Sequence, residues 1–295
     1  MARALRSVVD PGFLTVVVNV GDDTERYGVH VSADPDTVMY TLAGEVGPHG
    51  WGRAHDTFAA MDELTELGLD TSFRLGDKDL ALCVARTAML ERGMPLSDVT
   101  AVLAQRFGIN DLTLLPATNA PVRTWIQTDA GEWIDFQEYF VTRQHADEVS
   151  AIAYHGASGA EPSPGVVEAI AACDTLVIAP SNPPLSVWPI LAIDAINDAV
   201  RAHPRTHVVS PLFGGQPLKG PADRVMRGIG LPAGTRGVLM AYDGLIDTLF
   251  IDAADRDDIH LGDEFGVRIV ATDTRLTPDD RGSTLAGFIL QEAGR

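Results

Sequence analysis

The sequence predicts an α/β protein: a mostly parallel sheet between two helical layers, a three-layer αβα arrangement, with a small β-containing insertion. Three observations predict it. Short, β-branched and almost wholly apolar runs stand at Leu14–Val20 (LTVVVNV), Thr175–Ala179 (TLVIA) and His207–Ser210, the pattern of strands covered on both faces. Helical patterns separate these runs, and alternating strands and helices imply a parallel sheet. Between them the chain breaks into short apolar or alternating stretches around a hairpin-like turn.

Each element follows from its residues. Met1–Val9 reads as a helix, where a doubly wound domain ordinarily opens with a strand and a Gly-rich turn. Leu14–Val20 is the first strand and ends in Gly21-Asp22-Asp23. A helix begins near Thr37. His55–Leu67 is amphipathic and closes at Gly68; Asp77–Arg92 closes at Gly93, the glycine supplying the left-handed turn that ends a helix. Ser97 is placed to cap Asp98–Phe107, which stops at Gly108. Leu112–Leu115, Val122–Thr128, Trp133–Val141 and Val149–Tyr154 read as strands, with Asp129-Ala130-Gly131 as a turn. Val166–Cys173 is helical, Thr175–Ala179 a strand, Val187–Ala202 a long apolar helix and His207–Ser210 a strand. Pro211–Pro221 is a Gly- and Pro-rich loop. Leu245–Asp252 and Val267–Thr272 are further strands, and Arg281–Glu292 is the closing helix. The reading gives a core over residues 1–108 and 164–295 and a β-containing insertion over 109–163.

Composition narrows the function. The net charge of −19 repels phosphate backbones and argues against a nucleic-acid partner. It leaves room for a small phosphorylated ligand, because a divalent cation inverts the local field. The two cysteines, Cys83 and Cys173, sit in apolar helical contexts and read as buried free thiols, with no disulfide or zinc spacing. No apolar run reaches membrane-span length and no signal-peptide core is visible, so the expectation is a cytoplasmic protein without a membrane partner. His30, His49, His55 and His155 show no metal-ligand spacing. Trp51 and Trp188 are candidates for stacking on an aromatic ligand, Trp188 more readily as core.

In a parallel αβα sheet, ligands sit beyond the C-terminal strand ends, and five loops after strands or at helix starts carry suitable chemistry. Asn19-Val20-Gly21-Asp22-Asp23 places adjacent carboxylates after a strand, hard oxygens that suit Mg²⁺. Ala33-Asp34-Pro35-Asp36-Thr37 follows; a returning loop lets Asp36 and Asp23 face one cation, and Asp34 or Asp36 is equally a helix cap. Arg74-Leu75-Gly76-Asp77-Lys78-Asp79 sets cations at a helix start, where anions are favoured. Pro180–Pro184 with Leu185 and Ser186 offers Ser181 and Asn182. The loop from Leu212 to Pro221 holds Gly214 and Gly215, which permit close backbone approach, and Lys219, a point charge for a phosphate. Singly, each is also an ordinary turn or cap. Together they indicate an α/β enzyme acting on a phosphorylated ligand with Mg²⁺.

In this order, NVGDD at Asn19–Asp23, ADPDT at Ala33–Thr37, RLGDKDLA at Arg74–Ala81, PSNPPLSV at Pro180–Val187 and PLFGGQPLKGPADR at Pro211–Arg224 resemble the 2-phospho-L-lactate transferase family (CofD; FbiA in actinobacteria) along essentially the whole chain. The resemblance implies a Rossmann-like core and a transferase of coenzyme F-420 biosynthesis. Such an enzyme moves a phospholactyl or phosphoenolpyruvyl group from a guanosine diphosphate-linked donor to the terminal ribityl hydroxyl of the deazaflavin Fo, and GMP leaves. It implies Mg²⁺ on Asp23 and Asp36, with Asp36 also at the deazaflavin site. Arg74 and Lys78 match the motif that helps hold Fo. Ser181, Asn182 and Pro183 match the loop lining the active site, and Gly214, Gly215 and Lys219 a second loop near the nucleotide. A homodimer is implied as well.

One departure accompanies the match. Members of the family begin with a strand and a GGxGG-type turn whose N–H groups cradle the donor's phosphates. The helix that follows is the one Met1–Val9 resembles. This sequence opens inside that helix, so the expectation is a start upstream of Met1. The alternatives are a deazaflavin-binding protein lacking the phosphate loop, and a non-catalytic nucleotide- or UDP-sugar-binding regulator like the gluconeogenesis-factor proteins of the same superfamily. The paired NVGDD and ADPDT motifs favour the transferase.

Overall fold

The computed structural model describes residues 1–48, 50–276 and 281–294; His49 lies outside them. The first third holds α1 (Ala2–Arg6), β1 (Thr15–Val18), β2 (Thr24–Arg26), β3 (Val29–Val31), α2 (Ala33–Ala43), α3 (Ala59–Glu66), α4 (Asp77–Leu90), α5 (Leu96–Arg106) and β4 (Thr113–Pro116). β1 and β4 pair in parallel, Thr15 opposite Thr113. β2 and β3 form a hairpin whose two turn residues, Tyr27 and Gly28, have φ of 54° and 73°. Positive φ at both positions matches the right-handed twist of the flanking strands.

The middle is an antiparallel sheet of β5 (Arg123–Thr128), β6 (Trp133–Asp135) and β7 (Val149–His155), in the order β6-β5-β7. It lies within 109–163. β4 lies within that span too, yet it belongs to the parallel layer through β1. The final half supplies α6 (Val166–Ala172), β8 (Leu176–Ile178), α7 (Trp188–Leu191), α8 (Asp194–Ala202), β9 (Thr206–Val209), β10 (Leu212–Phe213), β11 (Gln216–Pro217), α9 (Ala222–Gly228), α10 (Gly234–Ala241), β12 (Thr248–Asp252), α11 (Leu261–Phe265), β13 (Arg268–Thr272) and α12 (Arg281–Ala293).

β13, β12, β9 and β8 form a parallel sheet in that order. Successive side chains point to opposite faces, and the packing follows. Val208, Leu249, Ile251 and Ile269 meet Ile196 and Val200 of α8 and Leu239 of α10. Val209 and Phe250 meet Leu285 and Ile289 of α12 and the start of the chain at Met1. Helices therefore cover both faces, the three-layer arrangement that the apolar strands predict. Among the described residues the parallel layer comes in two pieces, β1–β4 and β8–β13. Val17 and Leu115 of the first pack on the same core as Leu176 and Ile178 of the second. No helix among the described residues is long and apolar enough to cross a membrane.

Three local expectations are corrected. Trp133–Val141 is not one strand: after β6 a π-helical turn runs over Glu138–Thr142. Phe136 and Phe140, four residues apart, stack at 5.3 Å, a helical spacing that strand alternation does not give. Val187–Ala202 is not one helix either. Pro183 and Pro184 open a π-helical turn, α7 follows with Pro189 in its first turn, and the chain breaks at Ile193, whose extended backbone (φ −85°, ψ 108°) precedes α8. Ser97 does not cap α5; its N–H donates to Asn119 Oδ1 at 2.7 Å, so a loop side chain covers that open amide. Both thiols are free, Cys83 buried and Cys173 only half-buried.

His207 is expected to make the fold sensitive to acid. It is buried in β9 against the Phe250 ring, centroids 6.0 Å apart, and among the described residues neither ring nitrogen has a hydrogen-bond partner. Burial lowers its pKa below the ordinary 6.5. The unfolded chain therefore binds more protons than the native one as pH falls below 6.5, and stability is lost in that window. Melting temperature is expected to fall from pH 7.5 to 5.0 more steeply in the wild type than in His207→Leu. Parallel slopes would contradict this.

Candidate active site

The site grows from the loop after β1. Asn19 Oδ1 accepts the Gly21 N–H at 2.7 Å and its Nδ2 donates to Asp34 Oδ2 at 3.0 Å. That closes the turn and ties it to the first turn of α2. Asp22 and Asp23 are 5% and 2% exposed. The β2–β3 hairpin returns the chain so that Ser32 Oγ donates to Asp23 Oδ2 at 2.8 Å and His30 Nε2 lies 3.0 Å from the same oxygen. Gln137, on the wall of the insertion, donates from Nε2 to the Asp22 carbonyl at 2.7 Å. α2 contributes Asp34 and Asp36. Arg86 of α4 pairs with Asp36 Oδ1.

Four carboxylates thus lie near enough for the Asp23 charge to act on Asp22, Asp34 and Asp36, with few counter-charges. Burial, then the neighbouring Asp34 carboxylate, push Asp22 well above the ordinary carboxyl range. Burial raises Asp34 to about 6 against the Asn19 hydrogen bond. Burial likewise raises Asp36 to about 7, although Arg86 draws it down. Asp22 Oδ1 and Asp23 Oδ1 are buried without a hydrogen-bond partner among the described residues. Orphaned carboxylate oxygens at this density are costly unless something positive meets them. A hard divalent cation fits this all-oxygen donor set.

The acidic loop opens on a cavity of about 1370 Å³. Asp22, Asp34 and Asp36 line it beside Tyr40 and Asp79, while Arg53, Arg74 and Lys219 bring positive charge to its walls. Phe58, Phe73, Phe136, Phe140, Phe213 and Trp51 give it aromatic surface. Gln144 and His145 in the wall hold φ of 51° and 45°, a left-handed backbone that tertiary contacts must enforce. Arg224 does so by donating to the His145 carbonyl. A smaller cavity of about 210 Å³ lies against the same loop, lined by Asp22, Asp23, Thr124 and Arg123.

Of the residues singled out in the sequence, Asp36, Arg74, Asn182 and Lys219 line the large cavity, and Asp23 lines the small one. Arg74 pairs with Asp62 at 2.6 Å and lies over the Phe58 ring. Lys78 is exposed and donates to the His55 carbonyl at 2.9 Å. Ser181, Pro183, Gly214 and Gly215 lie outside both walls. Asp255 Oδ2 accepts the Gly214 N–H at 3.0 Å, so a carboxylate of this chain already occupies that amide. The start of α4 is similarly filled. Asp56 accepts the N–H groups of Lys78 and Asp79 at 2.9 and 3.1 Å, while Asp77 reaches back to cap α3 at Ala59 and Ala60. Trp188 packs in the core and donates to the Ala241 carbonyl at 2.9 Å.

Sequence reasoning missed Arg86, His30, Ser32 and Gln137 as builders of the site, and the aromatic wall of the insertion. Only the i, i+4 spacing of Phe136 and Phe140 offered a signal. Gly21 leaves no room for a side chain. A Cβ there would lie 2.6 Å from Thr124 Oγ1 and 2.8 Å from Pro189 Cβ. Gly21→Ala is expected to shift the acidic loop and weaken Mn²⁺ binding by about tenfold or more, as disturbed ligand orientation does. Unchanged affinity in a titration would contradict it.

A parallel αβα core with an acidic strand-end loop over a large aromatic-walled cavity defines an α/β enzyme of the Rossmann-like class. The chain belongs to the 2-phospho-L-lactate transferase CofD family, whose profile matches residues 1–280, and it is a transferase. It is 37% identical over 299 residues to a phosphoenolpyruvate transferase of Streptomyces griseus, covering 99% of this chain and 93% of that one. It is 38% identical over 282 residues to the 2-phospho-L-lactate transferase of Methanopyrus kandleri, covering 94% and 89%. A crystal structure of a UPF0052-family protein from Bacillus halodurans superposes with a TM-score of 0.63 at 16% identity, covering 98% of this chain and 94% of that one, a likeness of fold.

Proposed function

We propose that this protein transfers a phosphoenolpyruvyl or phospholactyl group from a guanosine diphosphate-linked donor to the terminal ribityl hydroxyl of the deazaflavin Fo. GMP is released in this step of coenzyme F-420 biosynthesis. Family membership supports the reaction class. The observation that carries the reading is the buried carboxylate cluster at the edge of the 1370 Å³ cavity. That volume exceeds the roughly 300–1,000 Å³ of a pocket for one small ligand, which supports a site for two substrates. The aromatic side chains suit a planar ring system.

Asp23 and Asp36, with Asp22 and Asp34 beside them, are the residues that would hold Mg²⁺. When bound, the ion neutralises charge on diphosphate oxygens and on the leaving phosphate. The rest is positioning, as phosphoryl-group transfer chiefly requires. Arg53, Arg74 and Lys219 attract and orient anionic substrate groups from the cavity wall. Phe136 and Phe140 keep one wall apolar and exclude water from the reacting groups. His30 and Ser32 hold Asp23 in one orientation.

Mass spectrometry of a reaction containing the chain, Fo, Mg²⁺ and freshly generated guanosine diphosphate-linked donor tests the proposal. The expected result is an Fo derivative heavier by the transferred group, formed in step with GMP and abolished by excess chelator. Full activity in chelator, or GMP release without an Fo product, would contradict it.

A further inference from the structure

We infer that Arg86 is the positioning residue that sets Asp36 for cation binding, acting from the middle of α4. The inference rests on the reading of Asp36 as a cation ligand. Arg86 is 1% exposed and the largest fully buried side chain of the chain's described residues. A guanidinium so deep is tolerated only where acceptors meet it. Its Nη2 donates to Asp36 Oδ1. Its Nη1 donates to the His30 carbonyl at 3.3 Å and lies 3.8 Å from Cys83 Sγ. The neighbouring Thr87 accepts the His30 N–H on Oγ1 at 2.8 Å and donates to the Cys83 carbonyl at 2.8 Å.

One turn of α4 therefore grips two things at once. It holds the backbone of His30, whose ring meets Asp23, and it holds the carboxylate of Asp36. These sit on separate elements, β3 and α2, and only a planar fork spans both. With Oδ1 committed to Arg86, rotation of the Asp36 carboxylate is blocked. Among the described residues its Oδ2 receives no hydrogen bond, and Asp36 lines the cavity. An apolar pair in place of both Arg86 and Asp36 would fill the same space at least as stably. What the guanidinium adds is orientation: it fixes Asp36 relative to Asp23 before any cation arrives.

Mn²⁺ titration of the full chain, read by the electron paramagnetic resonance of the free ion, tests this with thermal melts as the check on folding. The expected result is that Asp36→Asn weakens Mn²⁺ binding and that Arg86→Lys melts near the wild type but binds Mn²⁺ about tenfold or more weakly. The ammonium reaches one of the two acceptors, not both. In Arg86→Ala, added guanidinium is expected to restore Mn²⁺ affinity. Folded Arg86→Lys with wild-type Mn²⁺ affinity, beside a weakened Asp36→Asn, would overturn the positioning role alone. Wild-type affinity in Asp36→Asn would overturn the reading on which it rests. If Arg86→Lys does not fold, failure of guanidinium to restore affinity in Arg86→Ala overturns the role.

Discussion

Asp23→Asn is expected to lower transfer by on the order of 10³-fold, the scale of losing preorganised electrostatic stabilisation at a reacting centre, while the protein stays folded. The asymmetry follows from the two oxygens of this carboxylate. Oδ2 accepts from Ser32 Oγ and meets His30 Nε2, and the amide oxygen of asparagine can do the same. Oδ1 is buried and has no hydrogen-bond partner among the described residues, which leaves it for a ligand. Replacing it with an NH₂ group presents hydrogens where a cation would sit. Steady-state transfer at saturating Fo, with circular dichroism as the folding check, measures both halves. Wild-type turnover in a folded Asp23→Asn protein would mean that Asp23 merely braces the hairpin.

Phe250→Ala has the largest expected effect on stability. The ring is 0% exposed at the centre of β12. It meets Phe288 edge-on at 6.1 Å and His207 at 6.0 Å, within a cluster that includes Val209, Leu285 and Ile289. Truncating a core phenylalanine costs about 3–5 kcal/mol, which in a chain of this size lowers the melting temperature by about 10 °C. This cluster packs on the α12 side of the sheet, and Phe250 does not line the cavity. Turnover per folded molecule at low temperature is therefore expected to stay near the wild type. A melting temperature within a degree or two of the wild type would show that α12 and the sheet are loosely joined.

The sequence makes the parallel sheet easy to see and much of the site hard to see, for one physical reason. LTVVVNV, TLVIA and THVVS are apolar on both faces, and only strands covered on both sides need that. The hairpin from Thr24 to Val31 escaped notice because its turn is Tyr27-Gly28, with only the glycine marking a positive φ. Adjacent acids after a strand were legible as a cation site. Their supports were not, because they arrive from distant elements: Ser32 from β3's end, Arg86 from α4, Gln137 from the insertion. Arg86 sits in an amphipathic helical pattern where a long cation ordinarily faces water. Gly214 and the start of α4 read as open anion sites, since no local signal places Asp255 or Asp56 on their amides. Spacing along the chain reports local backbone; it does not report which distant carboxylate fills a donor.

The most direct test of the account is a Mn²⁺ co-crystal with its anomalous difference map. The metal peak is expected among Asp22, Asp23, Asp34 and Asp36, with Asp23 Oδ1 as one of the ligands. Among the described residues, Asp36, Asp79 and Cys83 are the three side chains that bring ligand atoms within 4.8 Å of one another. A peak on that group, clear of Asp23, or no peak at the acidic loop of a crystal grown in saturating Mn²⁺, would contradict it.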